Sequence, residues 1–155
     1  MKIRQLSKRD IRRFISILEI FGIKLSEKIK RGYMVDLKKG SLIFIGDKPA
    51  LVKFNDIIVP FINLVSESGI KRVYVDEGAV KHIVNGADVM APGITRFSRF
   101  SKGDIVAVLI DKYETPIAIG IALIDSKELV NIRKGKVIKN LHHLTDVFWN
   151  YVKGK

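Results

Sequence analysis

Ile11, Phe14, Ile15 and Leu18 recur three and four residues apart behind Ser7, with Asp10 three positions after that serine. The pattern predicts an amphipathic helix capped by the Ser7 hydroxyl, and Gly22 supplies its stop. Three short apolar runs follow: Tyr33 to Leu37, Leu42 to Ile45 and Ala50 to Phe54. They are separated by Lys38-Lys39-Gly40 and Gly46-Asp47-Lys48-Pro49. Runs of this length between turn formers predict a small antiparallel sheet. Pro60 then sits where a helix would open, with Phe61, Ile62, Leu64 and Val65 as its apolar face and Gly69 as its end.

The second half reads differently. Val73 to Val75 is a short strand that runs into an Asp76-Glu77-Gly78 turn, and Val80, Ile83 and Val84 mark one face of a helix. Asn85-Gly86 punctuates that helix, and a loop follows that ends in Pro92-Gly93. Asp104 to Ile110 is almost wholly apolar, as a buried strand is, and Pro116 opens another apolar run to Ile124. Ser126 to Ile132 suits a short helical turn, and Gly135 to Ile138 a last strand. Many short strands divided by turn signals predict a small barrel. A boundary near Ser68 to Lys71 gives domains of residues 1–70 and 71–155. No long linker lies between them. The expected fold is α+β, with a small N-terminal α/β domain packed on a C-terminal β-barrel.

Charge changes the picture. There are 28 Lys plus Arg against 16 Asp plus Glu, a net charge of +12. A surplus of that size attracts polyanions, nucleic acid above all. Met1 to Arg31 holds ten lysines and arginines against Asp10, Glu19 and Glu27, so more than half of the surplus lies there. Cysteine is absent, which excludes disulfides and thiolate metal sites. The longest apolar stretch, Ile57 to Val65, is far too short to span a bilayer, and the first residues lack the apolar core of a signal peptide. A cytoplasmic protein without membrane attachment is expected.

Candidate chemistry concentrates in one loop. Gly86 to Gly93 carries little side chain, and glycine lets a backbone approach a ligand closely. One reading is an amide cradle for a polyanion, and the other is a plain tight connection. Lys81, Arg96 and Arg99 beside it suit phosphate and sugar contacts. Phe97 and Phe100 either stack on a base or belong to the core, with at least one of them in the core. Arg9, Arg12 and Arg13 are either a solvated helix face or phosphate contacts. If the loop recognises a ligand, Gly93→Val should damage binding and leave the fold intact. His82, His142 and His143 do not make a convincing metal site, since zinc needs three or four convergent ligands. Asp76 and Glu77 read as turn and cap residues rather than an acid/base pair. No nucleophile triad, nucleotide-phosphate loop or dinucleotide fingerprint is present, so no enzyme and no cofactor are expected.

The run Asp76-Glu77-Gly78-Ala79, then Asn85-Gly86-Ala87-Asp88-Val89-Met90-Ala91-Pro92-Gly93-Ile94, resembles the start of a PUA domain. Asp104 to Ala107 with Ala118-Ile119-Gly120 resembles the central hairpin of its barrel. Lys134-Gly135-Lys136-Val137, followed by Asn140-Leu141-His142-His143-Leu144-Thr145-Asp146 and Trp149, is similar to the tail of the malignant T-cell amplified sequence and ligatin N-terminal subgroup. The resemblance implies a PUA-type barrel that binds structured RNA through Gly86, Ala87, Asp88, Met90, Pro92, Gly93 and Ile94. It implies work in translation on tRNA or small-subunit ribosomal RNA, beside a separate protein with an initiation-factor-one-like domain. The alternative is an accessory subunit that targets RNA to a modifying enzyme.

Overall fold

The computed structural model describes residues 1–25 and 28–154. It divides into two compact units, residues 1–69 with the C-terminal segment from Val147, and residues 70–146. The sequence boundary at 71–155 is corrected in that last segment, and Lys155 lies outside the described residues.

The first unit is a five-stranded antiparallel meander covered by a helix. Its strands β1 (Lys2–Gln5), β2 (Gly32–Leu37), β3 (Gly40–Ile45), β4 (Lys48–Phe54) and β5 (Ile57–Pro60) pair in chain order. Helix α1 (Lys8–Ile20) starts where the sequence predicts, with the Asp10 amide donating to Ser7 Oγ at 3.0 Å. Its Phe14 and Leu18 pack with Met34, Ile43, Ile45, Ala50 and Leu51 of the sheet. Strand β1 carries no apolar rhythm and all four of its residues are exposed, so periodicity could not reveal it. Pro60 ends an edge strand rather than opening a helix. Proline is tolerated there because an edge position needs no amide, and a 3-10 turn, Ile62–Glu67, follows.

The second unit is built on one six-stranded sheet. Strands β6 (Lys71–Val75), β7 (Val89–Met90), β8 (Ile94–Phe97), β9 (Ile105–Ile110), β10 (Pro116–Ala122) and β11 (Lys136–His143) lie in the order β7-β11-β10-β9-β6-β8. The sheet curls into a half-barrel. Only β6 and β9 run parallel. Helix α2 (Glu77–Ile83) sets Ile83 into a core of Val73, Val75, Val89, Val106, Val108 and Val137. Strand β11 runs five residues beyond the expected stop at Ile138, through Lys139 to His143. Their polar character hid that extension, yet His142 is fully buried, and its Nδ1 lies 2.6 Å from Asp146 Oδ2.

Helix α3 (Val147–Lys153) belongs to the first unit for a plain reason: it is an aromatic anchor. Phe148 meets Phe54 edge-on at 5.3 Å, Trp149 stacks on Phe61 at 6.1 Å, and Tyr151 meets Phe44 at 6.3 Å. Among the described residues no helix is long and apolar enough to cross a membrane.

Candidate nucleic-acid interface

Strand β6 buries Val73 and Val75 and delivers the chain to Asp76 at the sheet margin. The Asp76 carboxylate accepts the Ala79 amide at 3.0 Å, which caps α2. At the far end of the helix the Gly86 amide donates to the Ile83 carbonyl and the Ala87 amide to the His82 carbonyl, both at 3.0 Å. Gly86 reaches this closure at φ +99°, a region a side chain rarely enters. The chain then pairs as β7 against β11, with Met90 opposite Lys136 and Val89 opposite Ile138. A 3-10 turn, Ala91–Gly93, brings it back, and the Gly93 carbonyl accepts the Asp76 amide at 3.0 Å. The segment from Asp76 to Gly93 is therefore closed on itself.

Between α2 and this returning chain lies an open groove of about 670 Å³. Six of the residues singled out from sequence line it: Gly86, Ala87, Asp88, Met90, Pro92 and Gly93. Asp76, Gly78, Ala79, His82, Ile83 and Lys136 complete it. His82 and Lys136 were not anticipated. Lys136 arrives through the β7–β11 pairing, a contact between distant parts of the chain that no local pattern signals.

Strand β11 also fixes the groove's rim. The Asn140 backbone amide donates to Asp88 Oδ1 at 2.9 Å, and its side-chain Nδ2 donates to the Ile83 and Ala87 carbonyls at 3.0 and 2.9 Å. Thr145 Oγ1 donates to the Val84 carbonyl at 2.9 Å. Lys136 Nζ stands 3.3 Å from Asp88 Oδ2. His143 Nδ1 donates to the Leu144 carbonyl at 2.7 Å, with its ring beside Gly86.

Two expectations change here. The amides of Gly86, Ala87, Ala91 and Ile94 all donate to carbonyls of the chain itself, so they do not form an anion cradle. The groove instead offers a mostly apolar surface with Met90 44% exposed, two carboxylates, and the side chains of Lys136 and His82. That mixture suits the face and edges of a base or ribose better than a bare phosphate. Gly93 also packs tightly, because a Cβ there would stand 3.1 Å from the Ala79 Cβ and one of the two would have to shift.

The remaining predicted residues lie elsewhere. Lys81 is exposed on α2 outside the groove lining, and Ile94 packs partly into the core. Arg96 is held by its own unit: Nε donates to Asp111 at 2.7 Å, Nη2 to Glu114 at 3.0 Å, and the guanidinium lies 3.5 Å above the Tyr74 ring. Those carboxylates hold the guanidinium firmly charged, with its pKa raised, and occupy its donors at a half-exposed position. Arg99 borders a separate hollow with Phe97 and Lys127; there Phe97 is 39% exposed, while Phe100 is buried in the core at 3%. Arg9, Arg12 and Arg13 are exposed on α1 in the first unit. Among the described residues no group of three or more His, Asp or Glu side chains is placed to hold a metal ion.

The comparisons agree with this geometry. The PUA domain model matches residues 71–144, the span that builds the groove. Translation machinery-associated protein 20 of Saccharomyces cerevisiae is 33% identical over 138 residues, covering 83% of this chain and 70% of that one. The chain belongs to this family of PUA-domain proteins. An uncharacterized protein of Methanocaldococcus jannaschii is 36% identical over 152 residues and 94% of both chains. A crystal structure of a hypothetical protein from Pyrococcus horikoshii OT3 superposes with a TM-score of 0.80 at 34% identity, over 97% of this chain and 99% of that one. Both extend across the PUA domain and the first unit, so the pairing of the two is a property of the relatives as well.

Proposed function

We propose that this protein is a non-catalytic RNA-binding protein of translation that contacts tRNA or small-subunit ribosomal RNA. The observation that carries the reading is the groove of the PUA domain, where α2 and the Gly86 to Gly93 segment meet Lys136. Its apolar walls and few polar groups fit an unpaired nucleotide, and single-stranded ends are where RNA exposes bases to proteins. The net charge of +12 supplies the attraction. The likeness, over 83% of this chain, to a protein named for its association with the translation machinery supports the setting.

The test is a titration of labelled bulk tRNA and of small-subunit ribosomal RNA across a salt series, with co-sedimentation on isolated small subunits. Contact with about four phosphates gives a log-log slope of roughly −3 to −4. Absence of binding at low salt would remove the reading. Recovery with an RNA-modifying enzyme instead of with subunits would favour the accessory role.

A further inference from the structure

Two basic clusters far apart in sequence meet in the first unit. Lys8 and Arg12 stand one turn apart on α1, and the segment Lys28 to Arg31 runs beside them. Together they enclose a cleft of about 220 Å³, with Ile11, Ile15 and Ile29 as its floor and Lys8, Arg12, Lys28 and Lys30 around it. The same segment borders a wider cleft of about 610 Å³ against the β3–β4 turn, where Arg31 and Lys48 join the lining and Asp47 is its one acid among the described residues. All six cations are exposed, and among the described residues none of them makes an ion pair.

Like charges gathered around an apolar floor repel one another and concentrate anions in the space between. Two adjoining clefts with cations on both sides of one segment match a ligand of repeating negative charge better than a single small anion. Four of the six are lysines, point charges that hold phosphates without demanding fixed geometry, and the isoleucine floor gives sugars a surface to pack on. We infer that this double cleft is a second RNA surface that follows a phosphodiester backbone, supplied by a different unit from the PUA groove. The inference rests on the RNA-binding reading above. It also divides the arginines of α1: Arg12 lines the cleft, while Arg9 and Arg13 lie outside both linings.

That division supplies the control. Lys28→Glu with Lys30→Glu and Arg9→Glu with Arg13→Glu change the net charge equally, at exposed positions. The probe is bulk tRNA titrated from low to moderate salt, with thermal melts on each variant. Loss of two phosphate contacts lowers the salt slope of the first variant by about 2 and weakens binding by about tenfold at 0.1 M salt. The arginine pair should show a clearly smaller loss. Equal losses in the two variants would reduce the effect to net charge and overturn the surface. Unchanged binding in the lysine variant would overturn it while leaving the PUA groove as the RNA site. Loss of an acidic protein partner with tRNA binding intact would assign the cleft to protein. Failure of the unmutated protein to bind tRNA would remove the RNA reading itself, and this surface with it.

Discussion

Asn140 holds Ala87 in place: its Nδ2 donates to the Ala87 carbonyl at 2.9 Å and to the Ile83 carbonyl at 3.0 Å, so one amide on β11 ties the end of α2 to the groove rim. The bonded residues lie more than fifty positions apart, which makes the rim part of the sheet rather than a free loop. Preorganised contacts of this kind spare a ligand the cost of ordering the rim.

Asn140→Leu removes both donors. Losing the two hydrogen bonds, each of about 0.5–1.5 kcal/mol, should destabilise the protein by about 1–3 kcal/mol, although the Ile83 carbonyl keeps the Gly86 amide. Binding of tRNA should weaken severalfold more than in a groove-distant variant of equal melting temperature. Asn140→Asp presents oxygens to the same two carbonyls and should be at least as harmful. If Asn140→Leu melts and binds as the parent does, the rim is held by Thr145 and the β7–β11 pairing alone.

The elements that sequence revealed are those whose signals are local. Helix α1 follows from the spacing of Ile11, Phe14 and Leu18, and α2 from Asp76 as its cap. The groove loop stood out because Gly86, Pro92 and Gly93 interrupt an apolar stretch. Strand β1 and the second half of β11 escaped because Lys2, Arg4, Lys139, Asn140 and His143 give no apolar alternation; they are strands through their partners. Lys136 escaped for the same reason, since only pairing with β7 carries it to the groove. Helix α3 lies far in sequence from the unit whose aromatic residues receive it. Composition alone could not show that Arg96 is already paired with Asp111 and Glu114.

The glycines separate packing from recognition. Gly93→Val should lower the melting temperature and RNA affinity together, because its Cβ presses on Ala79 and displaces α2. Gly78 offers the cleaner probe. It is exposed, lines the groove, and a Cβ there meets nothing closer than Asp76 Oδ1 at 3.4 Å. Gly78→Glu should therefore melt no lower than the parent, since a helix position gains up to about 1 kcal/mol when glycine is replaced. It should lose RNA affinity through the new charge and bulk in the groove. An unchanged titration would move the RNA site away from this groove.

Phe148 tests the assignment of α3. It is 1% exposed and packs edge-on against Phe54. Phe148→Ala should cost about 3–5 kcal/mol through the cavity it leaves. Hydrogen exchange should accelerate in β4 of the first unit before β9 and β10 of the second. Exchange that rises first in β9 and β10 would place the anchor with the wrong unit.

Arg96 gives the sharpest contrast between sequence expectation and structure. Its guanidinium lies over Tyr74 and donates to Asp111 and Glu114, so Arg96→Leu should leave tRNA affinity and salt slope close to the parent's. Stability should respond instead, and in a pH-dependent way. Hydrogen bonds from Thr95 and then Arg96 hold the Asp111 carboxyl below its ordinary value of 3.8. A carboxyl depressed in the folded state stabilises the fold above its unfolded pKa, and that contribution is lost as pH falls through the folded pKa. The melting-temperature gap between Arg96→Leu and the parent should therefore be full at neutral pH and narrow in strong acid. The contact with Tyr74, which involves no carboxylate, should leave a residual gap there. A salt slope reduced by about 1 in the variant would instead show that Arg96 releases its carboxylates to hold a phosphate.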